Sequence, residues 1–73
     1  MTAPNPNAPR RRPKGAREAW NPARTSEVTG YATKTLRNWR WMGTGPPWFP
    51  DARGEPRYWD IDVYNWIAKR EAS

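Results

Sequence analysis

The chain has 73 residues, no cysteine and no histidine, and a net charge of +6. That composition excludes disulfide staples, thiolate or histidine catalysis and the usual zinc sites, and it bounds the chain to one domain burying only about 60% of its unfolded surface. Six Trp, three Tyr and one Phe have to supply most of the core, and no apolar run reaches the roughly 18 residues of a membrane span, so with no signal-peptide pattern the expected location is the cytoplasm.

The first segment, residues 1–19, holds Pro4, Pro6, Pro9 and Pro13 and five basic residues against one acidic, a net +4. It has no apolar periodicity and too little apolar surface to offset the entropy of ordering, so disorder is expected there. Arg10, Arg11, Arg12 and Lys14 either contact phosphates, as homeodomain arms do, or form a solubilising tail. Residues 20–73 carry eight basic and six acidic groups, a net +2, and are expected to fold. A basic excess of this kind calls for a polyanionic partner; the alternative is a simple solubility device.

Asn21 is a good N-cap and Pro22 suits a first helical position, where its missing N–H has no partner in any case. A first helix is predicted from about Pro22 to Thr29, ending at Gly30, with a thin apolar face of Ala23 and Val28 helped by the methyls of Thr25 and Thr29. Gly30-Tyr31-Ala32 reads as a tight turn. A second helix follows from about Thr33 to Met42. At about 100° per residue, Lys34, Arg37, Asn38 and Trp41 share one arc, Leu36, Trp39 and Gly43 lie opposite, and Arg40 sits on the edge. Two short helices joined by a Gly-containing turn describe a helix-turn-helix.

Gly43 to Pro47 is a non-helical connector. Trp48-Phe49 and Arg57-Tyr58-Trp59 read as two brief strands around the turn formers Asp51-Ala52-Arg53-Gly54-Glu55, with Pro50 and Pro56 tolerable at the ends of an edge hairpin. Such a hairpin is a wing. Asp60 is placed to cap a third helix, with Asp62 in its first turn, and Val63, Trp66, Ile67 and Arg70 recur at helical spacing. There are no internal repeats. The expected fold class is mainly α with a small β-hairpin: a winged helix-turn-helix of three short helices and a two-stranded wing.

The arc of the second helix carries the chemistry. Lys34 and Arg37 have the donors for guanine edges or phosphates, and Asn38 for adenine N6 and N7. Any one alone would be an ordinary solvated residue; three on one arc, opposite Leu36 and Trp39, favour contact with DNA. Arg40 is expected to clamp a phosphate, positioning without specifying. Trp41 either stacks on a sugar or a thymine methyl, or folds back onto Trp48; the second is the preferred expectation. Arg53, at the wing tip, suits a narrow minor groove, and Arg57 a phosphate. Trp39, Tyr58, Trp59 and Trp66 are expected in the core rather than as stacking platforms for single strands. Asp60 and Asp62 are the one close carboxylate pair that invites a metal or nuclease reading; capping explains them more simply. No catalysis and no cofactor are expected.

Gly30-Tyr31-Ala32-Thr33-Lys34-Thr35-Leu36-Arg37-Asn38-Trp39-Arg40, then Gly45-Pro46-Pro47, Arg57-Tyr58, and Asp62-Val63 with Trp66-Ile67, resembles the excisionase-like, MerR-like winged helix-turn-helix domains of bacteriophages, plasmids and integrative elements. The resemblance covers about residues 20–70. Position 32, usually a capping Ser in that family, is Ala here, which leaves Thr33 to take over the cap; helix 1 is also poorer in aliphatics. The resemblance implies double-stranded DNA binding, with helix 2 in the major groove and the wing at the adjacent minor groove, Thr33 joining the contact set. It further implies a recombination directionality factor: a protein that binds repeated sites beside an attachment site, associates cooperatively with its own copies, bends the DNA and assists a separate integrase. Small transcription regulators and the DNA-binding domain of some phage terminase small subunits share the shape. RNA binding through the Arg-rich tail, or a protein-interaction role for exposed Trp, are the alternatives from other classes.

Overall fold

In the computed structural model, which describes residues 11–72, Asn21 is extended and its side chain accepts a 2.8 Å hydrogen bond from the Arg24 N–H. Helix α1 (Pro22–Thr29) therefore begins with a side-chain cap and Pro at its first position, and it ends where Gly30, at φ 81°, donates its N–H to the Ser26 carbonyl. The buried residue of α1 is Thr25, whose hydroxyl donates to the Asn21 carbonyl at 3.0 Å, with Val28 packed beside the core. Ala23, expected on the apolar face, is exposed. It lies about 200° round the helix from Thr25, so the two cannot share an inward stripe. A threonine is tolerated inside because its hydroxyl is bonded back to the helix.

Helix α2 (Thr33–Met42) starts at Ala32, which offers no side-chain cap; Thr33 is an exposed first-turn residue and does not take over that role. Its C-terminus closes as a Schellman-type turn, with the Gly43 N–H donating to the Arg40 carbonyl and the Thr44 N–H to the Trp39 carbonyl at 2.8 Å. Gly45 continues the chain at φ 83°, where a Cβ would stand 3.0 Å from the Trp39 side chain. Only glycine fits both the dihedral and the space.

The sheet has three antiparallel strands rather than the two of the expected hairpin. Strand β1 (Ala19–Trp20), β2 (Phe49–Pro50) and β3 (Pro56–Trp59) run in the order β1-β3-β2, with Trp20 opposite Tyr58 and Phe49 opposite Arg57. The added strand comes from the margin of the segment whose composition predicted disorder. Residues 11–19 are mostly exposed but anchored to the domain around one point: Ala16, whose N–H closes a turn onto the Pro13 carbonyl, is buried, and the Arg17 N–H donates to the Asp60 carboxylate at 3.1 Å. One small apolar residue and a backbone donor give no periodicity, so the sequence carries no signal of this docking.

Helix α3 (Asp60–Ala72) follows β3 without a loop. Asp60 accepts from the Ile61 N–H at 2.8 Å as well as from Arg17, and its own N–H donates to the Glu18 carbonyl. The carboxylate is thus an organiser of backbone donors at a helix start, where the macrodipole favours it. The core gathers Trp20, Tyr58 and Val63, with Val28, Trp48 and Ile67 against it, and Leu36 and Thr25 fully buried nearby. Trp39 and Trp66, expected as core, are half-buried and form a second aromatic group with Tyr31: the ring centroids are 4.8 Å (Tyr31–Trp39), 5.9 Å (Tyr31–Trp66) and 5.5 Å (Trp39–Trp66) apart. Trp59 is half-buried too, stacked on Phe49 at 4.8 Å. The domain is small and mainly α: three helices and a three-stranded antiparallel sheet. Among the described residues no helix is long and apolar enough to cross a membrane.

Candidate nucleic-acid interface

Helix α2 contains no acidic residue, and its sequence separates into two faces. Leu36 is fully buried and Trp39 and Arg40 are half-buried, whereas Lys34, Arg37, Asn38, Trp41 and Met42 are exposed. At about 100° per residue the exposed side chains follow one another round the helix as Arg37, Trp41, Lys34, Asn38 and Met42. Lys34, Arg37 and Asn38 make no side-chain hydrogen bond or ion pair among the described residues. Their donors are therefore directed at solvent from a helix held in place by Leu36. Thr33, Lys34 and Arg37 also line a shallow concavity with Pro22 and Arg40, where the beginnings of α1 and α2 meet. The part played by Pro22 has no sequence signal, because only the fold brings it beside α2.

Arg40 is turned inward. Its Nη1 donates to the Tyr58 hydroxyl at 2.6 Å, and its guanidinium lies 5.9 Å from both the Trp48 and the Tyr58 ring centroids. Burial raises the Tyr58 pKa above its ordinary value of 10.0, against the opposing hydrogen bond and charge of Arg40. A cation expected to hold a phosphate is thus a strut between α2 and β3. Trp48, engaged by Arg40, does not receive Trp41. The expectation that Trp41 completes the core is corrected: it is 84% exposed.

Asp51 organises the hairpin turn. One carboxylate oxygen accepts from the N–H groups of Arg53 and Glu55 at 2.8 and 3.0 Å, and the other accepts from Arg57 Nε at 3.1 Å. Partial removal from water pushes the Asp51 carboxyl up, but the hydrogen bond from Arg57, those from the two backbone groups and the Arg57 charge outweigh it, so its pKa falls below 3.8. Arg57, expected at a phosphate, is paired within the turn. Arg53 is exposed at the tip, and its side chain makes no hydrogen bond or ion pair among the described residues.

The basic tail divides. Arg10 lies outside the described residues, Arg11 and Lys14 are exposed, and Arg12 folds back. Its Nε and Nη2 donate to the Ala16 carbonyl at 2.9 and 2.6 Å, and its guanidinium lies 6.0 Å from the Trp59 centroid. Arg70 is engaged in a similar way: it sits 5.4, 5.8 and 4.8 Å from the centroids of Tyr31, Trp39 and Trp66, and Nη2 donates to the Tyr31 hydroxyl. The Trp66/Arg70 spacing of four in a helix was the legible part of that cluster.

Among the described residues no three His, Cys, Asp or Glu side chains converge to hold a metal ion. The chain matches no protein-family model, no curated protein and no solved structure.

Proposed function

We propose that this chain is a winged helix-turn-helix protein that binds double-stranded DNA, with α1 and α2 as the helix-turn-helix, α2 in the major groove and the β2–β3 hairpin as the wing. The observation that carries the reading is the exposed arc of Lys34, Arg37 and Asn38, opposite the fully buried Leu36. A helix of about 11–12 Å diameter fits the major groove, and these three side-chain types supply the donors that guanine and adenine edges accept. Arg53 at the hairpin tip is the cation for the adjacent minor groove, and Thr33 reaches a phosphate from the start of α2. The net charge of +6 supplies the sequence-independent attraction.

Within that reading the role is that of a recombination directionality factor, bending DNA so that a partner integrase excises an element. Its support is the motif order quoted above. Selection from a random duplex library tests both levels. Enrichment of closely spaced direct repeats is the expected outcome, since a single small domain gains selectivity by cooperative loading of several copies. Inverted repeats would indicate a dimeric transcription regulator, and no enrichment would remove α2 as a reading helix.

A further inference from the structure

Trp41 differs from the other five tryptophans. Trp20, Trp39, Trp48, Trp59 and Trp66 each have an aromatic or cationic partner, and Trp41 has none among the described residues. Its indole is 84% exposed, and Met42 beside it is 65% exposed. An indole exposed to this extent leaves water only when a partner covers it. Its position narrows the partner: Trp41 shares a face with Arg37 and Lys34, whereas Met42 lies about 100° away, beyond Asn38. An occupant that covers Trp41 must therefore also accept the positive charge of Arg37 and Lys34, one and two turns back along the same face. Duplex DNA does so with its phosphates, and the apolar feature its major groove offers is the C5-methyl group of thymine.

We infer that Trp41 is a specificity residue that packs on a thymine methyl in the major groove. This rests on the proposal that α2 lies in that groove. Asn38 and Trp41 are three residues apart on the helix, a rise of about 4.5 Å, against about 3.4 Å between successive base pairs. The thymine therefore lies one or two base pairs from the base read by Asn38. Trp41 extends the reading face by nearly one turn and adds methyl recognition to the hydrogen-bond donors.

The test uses the full chain and the duplex it selects, with each thymine in turn replaced by deoxyuridine, a change that removes one methyl and keeps the base pairing. The expected result is a single sensitive position at which binding weakens about fourfold, the effect of one buried methyl-sized group. In Trp41→Ala that position becomes indifferent to the replacement, with thermal melting unchanged; Trp41→Leu, which keeps an apolar surface, retains part of the sensitivity. If no deoxyuridine position matters, or if the sensitivity persists in Trp41→Ala, the assignment is overturned. Loss of self-association on DNA in Trp41→Ala, without any methyl dependence, would also overturn it and assign the indole to a contact between copies. A chain that selects no duplex fails at the earlier step, which separates failure of the DNA reading from failure of this one.

Discussion

Arg40 Nη1 donates a 2.6 Å hydrogen bond to the buried Tyr58 hydroxyl, joining the outward-facing helix α2 to the central strand β3. The same guanidinium lies 5.9 Å from the Trp48 ring centroid, a second contact, between α2 and the segment that follows it. Arg40→Ala leaves a fully buried phenol without this partner. An unmade buried hydrogen bond costs about 1–3 kcal/mol, so this variant should melt at a lower temperature in the absence of DNA. An unchanged melting temperature would remove Arg40 from the fold and return it to the surface.

Arg37 has the opposite expectation. Its side chain is exposed and makes no hydrogen bond or ion pair among the described residues, so Arg37→Ala should melt like the unmodified chain. Its duplex affinity should fall: by about 1–3 kcal/mol at one base pair if it contacts guanine, or uniformly, with a salt slope flatter by about one, if it contacts phosphate. Titrations at several salt concentrations distinguish the two, and unchanged affinity for every duplex would exclude both.

Asn38→Ala should relax the preference at a single base pair, again by about 1–3 kcal/mol, while leaving stability unchanged. Repeating the library selection with this variant reads the effect directly. An identical enriched pattern would take Asn38 off the reading face.

Leu36 is fully buried at the centre of the opposite face. Leu36→Ala should lose about 2–5 kcal/mol, a large part of the stability of any small domain. Circular dichroism melting would show a lowered or absent transition. A variant as stable as the parent would mean that α2 is rotated relative to its core.

Two titrations should shape the dependence of stability on pH. The Tyr58 pKa is raised in the folded state by burial, so the folded chain holds its proton where the unfolded chain releases it. The contribution is fully present below pH 10 and is lost as the pH rises above that. Asp51 has a lowered folded pKa, the bonds from Arg57, Arg53 and Glu55 outweighing the effect of partial burial. Its contribution is present above the unfolded value and is lost as the pH falls through the folded one. Denaturant midpoints measured across pH should therefore decline at both ends. Tyr58→Phe should flatten the alkaline limb and Asp51→Asn the acid limb.

The helix limits were legible because their determinants are local. Asn21 and Pro22 begin α1, Gly30 ends it, and Gly43 ends α2 at the residue where spacing and punctuation place the stop. The hairpin turn was legible from its turn formers, which Asp51 ties together through its side chain, although β2 is Phe49–Pro50 rather than Trp48-Phe49 and β3 is a central strand rather than an edge. Strand β1 was not, because two residues pairing with β3, roughly 40 positions further along, have no periodicity to display. The residue pattern gives Thr25 only a supporting part on the apolar face. Its complete burial depends on a hydroxyl bonded to the Asn21 carbonyl.

For the candidate site, residue order alone defined which side chains of α2 share an arc, since the helical repeat is a property of the backbone. It left open which cations on the chain face outward, because that depends on acceptors supplied from elsewhere. Arg40 finds the Tyr58 hydroxyl 18 positions away, Arg57 finds Asp51 across the turn, and Arg12 finds a carbonyl and an indole. Lys34, Arg37 and Asn38 meet no such acceptor among the described residues. Trp41 stays in solvent because it projects about 140° round α2 from the buried Leu36, and among the described residues no distant segment folds over that face. Local periodicity assigns a side chain to a face, and only the packing of distant segments decides whether that face, and each charge on it, is already satisfied.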